Sequence, residues 1–329
     1  MATVCDSLSS SLTVKLSCVN KPCSVDHYLV YYFGMSVELP SRILSLINLS
    51  GVGGGQGLAL KQQNRPSNHE KGKPFEFFAK NFYAGCLGAL PNSVDAAWSS
   101  TFSWPGSANN PPDFMVYGGD AVEVKQLQGI SSIQLNSSPP KQYLNSDDPR
   151  ITKDCRNSEQ WHKKDFMYFI GKTTKEFVQA LWLVQGRCMF EPNQKYSNLI
   201  NGTKSALHSL GESNDFQFGT MFANQPNGDL ACVKSVDHAD SLLRVRGMWI
   251  VQHPSKIFTN FFVKPKKDHF VFNFLVTQEK FNTYSAQSVH ELSNCGDPNL
   301  SIVNRQIPDP SNLLNVLDVV HISWSTSIS

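Results

Sequence analysis

The sequence predicts an α/β fold, with a mixed central sheet flanked by helices, in one domain carrying N- and C-terminal elaborations. Three observations predict it. The stretch PPDFMVYGGDAVEVK, Pro111 to Lys125, reads as a β-hairpin. An apolar stripe at helical spacing begins beside Pro74. Apolar runs of strand length recur at 165–171 (DFMYFIG), 181–186 (LWLVQG) and 268–277 (DHFVFNFLVT), as in buried strands.

In the hairpin, Phe114–Tyr117 and Ala121–Val124 are apolar and rich in β-formers, and Gly118-Gly119 is a turn signal. Register decides what its charges can do. A two-residue turn would pair Asp113 with Val124 and point Asp113 away from Glu123 and Lys125. A three-residue loop, Gly118 to Asp120, pairs Tyr117 with Ala121 and sets Asp113 opposite Lys125; this is the register we expect. Glu123 and Lys125 share a face because side chains alternate along a strand. Asp113 and Glu123 then become same-face diagonal neighbours, roughly 7–8 Å apart at Cα. Two carboxylates so placed can converge on one divalent cation. Mg²⁺ is a hard cation held by one or two acids plus substrate phosphate, and a lysine beside it can orient or deprotonate the attacking water. Taken alone, the spacing equally fits a surface hairpin with solvated charges.

The preceding helix starts at Pro74, a first-turn residue. Phe75, Phe78, Ala79, Phe82 and Tyr83 recur at i, i+3, i+4, i+7 and i+8, an apolar stripe facing a core. Gly85 fits a C-terminal stop. Glu76 lies on the edge of the stripe, either at the rim of the core near the hairpin or in solvent.

The hairpin resembles the PD-(D/E)XK nuclease signature, with Pro112-Asp113 in one half and Glu123-Val124-Lys125 in the other. Three further blocks occur in order around it: PFEFFAKNFYAG from Pro74, the segment Leu135 to Gly171, and LLRVRGMWIVQHP from Leu242 to Pro254. Together they resemble the NgoPII family of type II restriction endonucleases over roughly Glu70 to Phe258. The resemblance implies a PD-(D/E)XK restriction-endonuclease-like core and Mg²⁺-dependent, sequence-specific cleavage of double-stranded DNA. The target would be a short G/C-rich palindrome, GGCC for the type member, with a cognate DNA methyltransferase as functional partner. It assigns catalysis to Asp113, Glu123 and Lys125, where the chain shows no departure, with Asp113 and Glu123 on the metal. Nucleases of this superfamily often carry an acid on the helix before the hairpin, which points to Glu76. A palindromic target with two strands to cut calls for a homodimer. A repair or structure-specific nuclease of the same superfamily, or a catalytically inert DNA-binding protein, are the alternatives.

Candidate DNA contacts follow the hairpin. The block Asn136–Arg156 is polar and reads as a long loop, and such loops in compact domains are usually functional or disordered. Its Asn136, Ser137, Ser138 and Lys141 suit phosphates and base edges, whereas Asp147 and Asp148 read as turn formers. Lys163 and Lys164 precede the first apolar run at the expected mouth of the site. Arg244 and Arg246, at strand spacing, are sent to one face, fit to reach guanine or phosphate.

With 329 residues, 40% hydrophobic, 17% charged and a net charge of +2, the composition is that of a globular protein. A DNA binder needs positive charge on one face, not a high total. The eight cysteines form no CxxC pair and the nine histidines no metal-ligand spacing. No apolar run reaches the ~18 residues of a membrane span, and the expected compartment is cytoplasmic and reducing. GVGGGQG, 51–57, lacks the Gly-Lys-Ser/Thr of a phosphate loop and reads as a loop. No internal repeat is evident. We divide the chain into an N-terminal extension or leader (1–60), an endonuclease core with recognition loops (61–262) and a C-terminal elaboration (263–329). Residues 1–34 hold three of the cysteines and only four charged residues. The stretch Ser293–Asn312 reads as an irregular tail.

Overall fold

The computed structural model describes residues 37–327 except 52–57, 59, 61–72, 89–93, 108–109, 137, 176, 214–216, 219–228 and 235–241. Residues 1–34 of the N-terminal extension and the glycine-rich residues 52–57 lie outside the described residues.

In chain order the helices are α1 (Leu39–Gly51), α2 (Lys73–Ala84), α3 (Asp95–Thr101), α4 (Lys153–Arg156), α5 (Asn193–Ser213), α6 (Pro254–Ile257), α7 (Gln278–Phe281) and α8 (Ala286–Ser293). The strands are β1 (Phe102–Trp104), β2 (Phe114–Val116), β3 (Ala121–Leu127), β4 (Ile133–Asn136), β5 (Tyr143–Asn145), β6 (Lys163–Thr173) and β7 (Val178–Gln185). They continue as β8 (Gln217–Phe218), β9 (Asp229–Lys234), β10 (Leu242–Arg246), β11 (Trp249–Val251), β12 (His269–Thr277), β13 (Ser301–Asp309) and β14 (Asn312–Ser327). The main sheet runs β1-β2-β3-β6-β7-β12-β14-β13, with β5 paired to β6. Pairs β3/β6 and β7/β12 are parallel and the rest antiparallel, so the sheet is mixed, as expected.

The inner strands read as unbroken apolar runs because both faces are covered. Along β6, Met167 and Phe169 enter one core, while Phe166, Tyr168 and Ile170 enter the other. Strand β7 does the same, with Leu181 and Leu183 on one side and Ala180, Trp182 and Val184 on the other. The expected helical stripe is the buried face of α2: Phe75, Phe78, Ala79, Phe82 and Tyr83 are all buried. The ring of Phe169 lies 5.5–6.2 Å from those of Phe75, Phe78, Phe82 and Tyr83. α2 seats so closely on β6 that a Cβ on Gly171 would meet the Phe75 ring at 2.0 Å. Gly85, at φ +71°, ends the helix.

One expectation about the C-terminal third is met and one is corrected. The apolar run 268–277 is strand β12 of the central sheet, parallel to β7 and antiparallel to β14. Ser301–Asp309, read as irregular, is an edge strand. Its single partner leaves it largely exposed, so it carries the Asn, Arg, Gln and Pro that edge strands tolerate. At the other end, α1 is a core element: Leu39, Ile43, Leu46 and Ile47 are buried against the α2 face of the sheet.

Candidate active site

The hairpin forms with a three-residue loop, but one residue earlier than expected. Phe114 pairs with Val122 and Met115 with Ala121, and Val116 N–H donates to Asp120 O, so the loop is Tyr117-Gly118-Gly119. The parity of the register is unchanged, so Asp113 and Glu123 still share a face. Asp113 now falls opposite Glu123, not Lys125: its N–H donates to Val122 O at 3.0 Å, and its Oδ2 accepts from Val124 N–H at 2.6 Å. The loop moves because Asp120 is buried and ion-paired to Lys280 of α7 at 2.6 Å, which fixes it as a strand end. Lys280 also reaches Asp165 at 3.2 Å.

Glu123 is buried, and its carboxylate lies 2.6 Å from the Lys125 ammonium on the same strand face. Burial, then the neighbouring Glu123 carboxylate, pushes the Asp113 carboxyl up to about 7 against the pull of Lys125 and the Val124 N–H. Burial lowers the affinity of Lys125 for its proton, but Glu123 and Asp113 together outweigh it and hold the ammonium above its ordinary value. Glu76, in the first turn of α2, is close enough for its charge to add to the rise of Asp113, and is itself paired to Lys80 at 2.6 Å. Among the described residues no three acidic, histidine or cysteine side chains gather around one point. Asp113 and Glu123 are thus a donor pair. Their mutual repulsion in a buried setting is what a hard divalent cation relieves, so they fit such an ion.

These residues open into a cleft of about 450 Å³ lined by Asp113, Glu123 and Lys125 together with Asn136, Ser138 and Arg246. Four segments distant in sequence therefore meet at one place. Ser107, Asn110 and Met248 also line it, and none of the three was assigned to the site from the sequence. Asn110 donates its amide to Arg150 O at 2.9 Å, tying this segment to the loop between β5 and α4. A Cβ on Gly106 (φ +101°) would meet Asp113 O at 2.0 Å, so only glycine allows this turn to pass so close to the acid. A larger cavity of about 570 Å³ lies by β13, with Phe258, Phe261, Ile307 and Leu313 in its walls, and no carboxylate lines it.

Other expected contacts are placed elsewhere. Lys141 is buried with its ammonium on Asp148, and its N–H donates to the Tyr168 hydroxyl at 2.9 Å. Lys164 is buried too, donating to Val116 O (2.8 Å) and Gly119 O (3.0 Å) and paired with Glu159 at 2.7 Å. Both cations are spent on internal partners, a correction to their expected place on the DNA face. The loop around Asp148 is itself ordered: Asp148 accepts from Arg150 N–H at 2.9 Å as the expected turn former, and β5 and α4 interrupt the stretch read as loop. Lys163 is exposed, with its ammonium 3.5 Å from the centre of the Tyr143 ring. Ser137 lies outside the described residues, as does the side chain of Arg244, whose backbone in β10 pairs with Cys232 of β9. The pairing register slips between Val245 and Arg246.

A mixed sheet whose hairpin sets two acids and a lysine at the floor of a cleft, with helix α2 behind it, is a restriction-endonuclease-like fold. The sequence profile of the NgoPII restriction endonuclease family matches residues 55–308, and the chain belongs to that family. It is 29% identical over 259 residues to the type II restriction enzyme NgoPII of Neisseria gonorrhoeae, covering 78% of this chain and 89% of that protein. No solved structure matches the chain. The protein is accordingly a site-specific deoxyribonuclease. No helix among the described residues is long and apolar enough to cross a membrane.

Proposed function

We propose that the chain cleaves double-stranded DNA at a short G/C-rich palindrome such as GGCC, using Mg²⁺ held by Asp113 and Glu123 in a PD-(D/E)XK centre. The observation that carries this reading is the shared cleft. The acids and Lys125 line the same walls as Asn136, Ser138 and Arg246, so groups suited to phosphodiester chemistry lie beside groups suited to base edges and phosphates. When bound, the cation would neutralise charge on the scissile phosphate and make a water nucleophilic at neutral pH. The chain's own residues prepare that step. Val124 N–H fixes the Asp113 carboxylate. Lys125 orients Glu123 and, kept protonated by the two acids, offers positive charge to the phosphate. Glu76 stands behind them as an outer acid.

The rest of the reading follows from the target. Two symmetric strands call for two related centres, hence a homodimer. A cell holding such an enzyme protects its own sites with a matching methyltransferase. Both would work beside DNA in the cytoplasm, a compartment consistent with the free, buried thiols of Cys86, Cys155 and Cys188. Incubating plasmid DNA with the chain and Mg²⁺, then sequencing the fragment ends, tests the proposal. Fixed bands sharing one palindromic end sequence are expected, and chelation by EDTA should abolish them. A smear would favour a structure-specific nuclease, and intact plasmid a DNA-binding protein without catalysis.

A further inference from the structure

Strands β4 and β11 form a separate two-stranded antiparallel ribbon beside the cleft, with Ile250 opposite Gln134 and Trp249 opposite Asn136. Its two faces differ sharply. Ile133 and Leu135 are buried, with Trp249 and Val251 packed against the same core and the Trp249 ring held 5.4 Å from that of Tyr196. The outward face presents Gln134, Asn136 and Ile250, all exposed, continued by Met248 just before the second strand. Met248 and Ile250 are each 60% exposed, on an element whose other side is firmly seated. One end of this face, Asn136, Gly247 and Met248, forms the wall of the catalytic cleft, with Arg246 next to it.

We propose that this ribbon is the element that enters the DNA major groove, with Gln134, Asn136, Met248 and Ile250 meeting base edges and the apolar pair lying against pyrimidine C5 positions. The inference rests on the reading above that the cleft cuts duplex DNA. The major groove, ~12 Å wide, admits a two-stranded ribbon, whose strands lie ~4.8 Å apart. Side-chain amides can bond base edges there, and apolar side chains pack on the pyrimidine 5-position, a contact the minor groove does not offer. The ribbon joins the cleft directly, so a groove seated on it brings the neighbouring backbone to Asp113 and Glu123.

The test uses the full chain with Ca²⁺, to support binding without turnover, and a pool of random-sequence duplexes from which bound molecules are sequenced. Wild type is compared with Gln134→Ala, Met248→Ala and Ile250→Ala, whose surface positions spare the core. The expected result is one consensus for wild type and, in each of at least two variants, about tenfold weaker discrimination at one base position with an unchanged salt dependence. Dimethyl sulfate footprints should show guanine N7, in the major groove, protected. An unchanged consensus in all three variants, or protection confined to adenine N3 in the minor groove, would overturn the ribbon assignment alone. A wild-type chain that selects no consensus would bring down both this inference and the reading it rests on. Variants that lose self-association while keeping the consensus would show the apolar pair to be covered by a second copy, and would also overturn it.

Discussion

The Lys125 ammonium lies 2.6 Å from the Glu123 carboxylate, two residues earlier on the same face of one strand, with Asp113 directly across the hairpin. Three charges are thus fixed by backbone pairing before any ligand arrives. If Lys125 orients Glu123 and neutralises phosphate charge, Lys125→Ala should slow cleavage by ~10² or more while leaving the fold intact. Single-turnover rates at saturating enzyme, with circular dichroism as the folding control, check this. Cleavage at the wild-type rate would remove Lys125 from the mechanism.

Removing an acid should separate binding from cutting. Asp113→Ala relieves a buried like-charge repulsion and takes negative charge from beside the phosphate. With Ca²⁺ we expect target binding at least as tight as wild type. Gel-shift titration measures it, and a large loss of affinity would assign Asp113 to a structural role.

Arg246 on the cleft wall should govern recognition. If it reads a base, Arg246→Ala should cost roughly 1–3 kcal/mol of binding and relax one position of the target. A phosphate contact would instead weaken all sequences alike and reduce the salt slope by about one. Affinities for matched and mismatched duplexes across a salt series distinguish these outcomes, and unchanged values in both would place the DNA elsewhere.

Much of the site was legible in the sequence because it is local. The α2 stripe and the three apolar strands follow from spacing, and the same-face placement of Asp113 and Glu123 follows once a three-residue loop is chosen over a two-residue turn. The hairpin loop slipped by one residue because Asp120 is claimed by Lys280, 160 positions away, a partner no local pattern reveals. Lys141 and Lys164 looked like DNA contacts for the same reason: their partners Asp148 and Glu159 become visible only once the loops are folded. β13 was missed because an exposed edge strand lacks an apolar signature.

The buried Lys164 supports a prediction of its own. It clamps the Asp113–Lys125 hairpin by two carbonyls and the Glu159 carboxylate, which also accepts from Gly118 N–H at 2.9 Å. Lys164→Met should cost about 3 kcal/mol of stability by leaving Glu159 without its cation. Chemical denaturation provides the measurement; a change below about 0.5 kcal/mol would show the clamp to be dispensable.

Acid should destabilise the protein through two buried histidines. His321 bonds Asn273 Oδ1 at 3.1 Å and packs against the rings of Phe261 and Phe262, and His253 packs on Trp182. Burial, with Arg305 near the first and Lys256 near the second, lowers both to about 4. Unfolded histidine titrates near about 6.5, so between these values the unfolded chain binds more protons. The stability they contribute is complete above about 6.5 and is lost as pH falls toward about 4. Thermal midpoints should drop across that window, and less steeply in His321→Gln; equal slopes would exclude His321 as a contributor.

The central claim is that Asp113 and Glu123 form the cutting centre of a site-specific deoxyribonuclease, and a parallel plasmid digest tests it most directly. Wild type, Asp113→Ala and Glu123→Ala are incubated with Mg²⁺ under identical conditions and the fragment ends are sequenced. The account predicts discrete fragments with a common palindromic end for wild type and neither nicking nor cutting by either variant. Discrete fragments from either variant at the wild-type rate would contradict it.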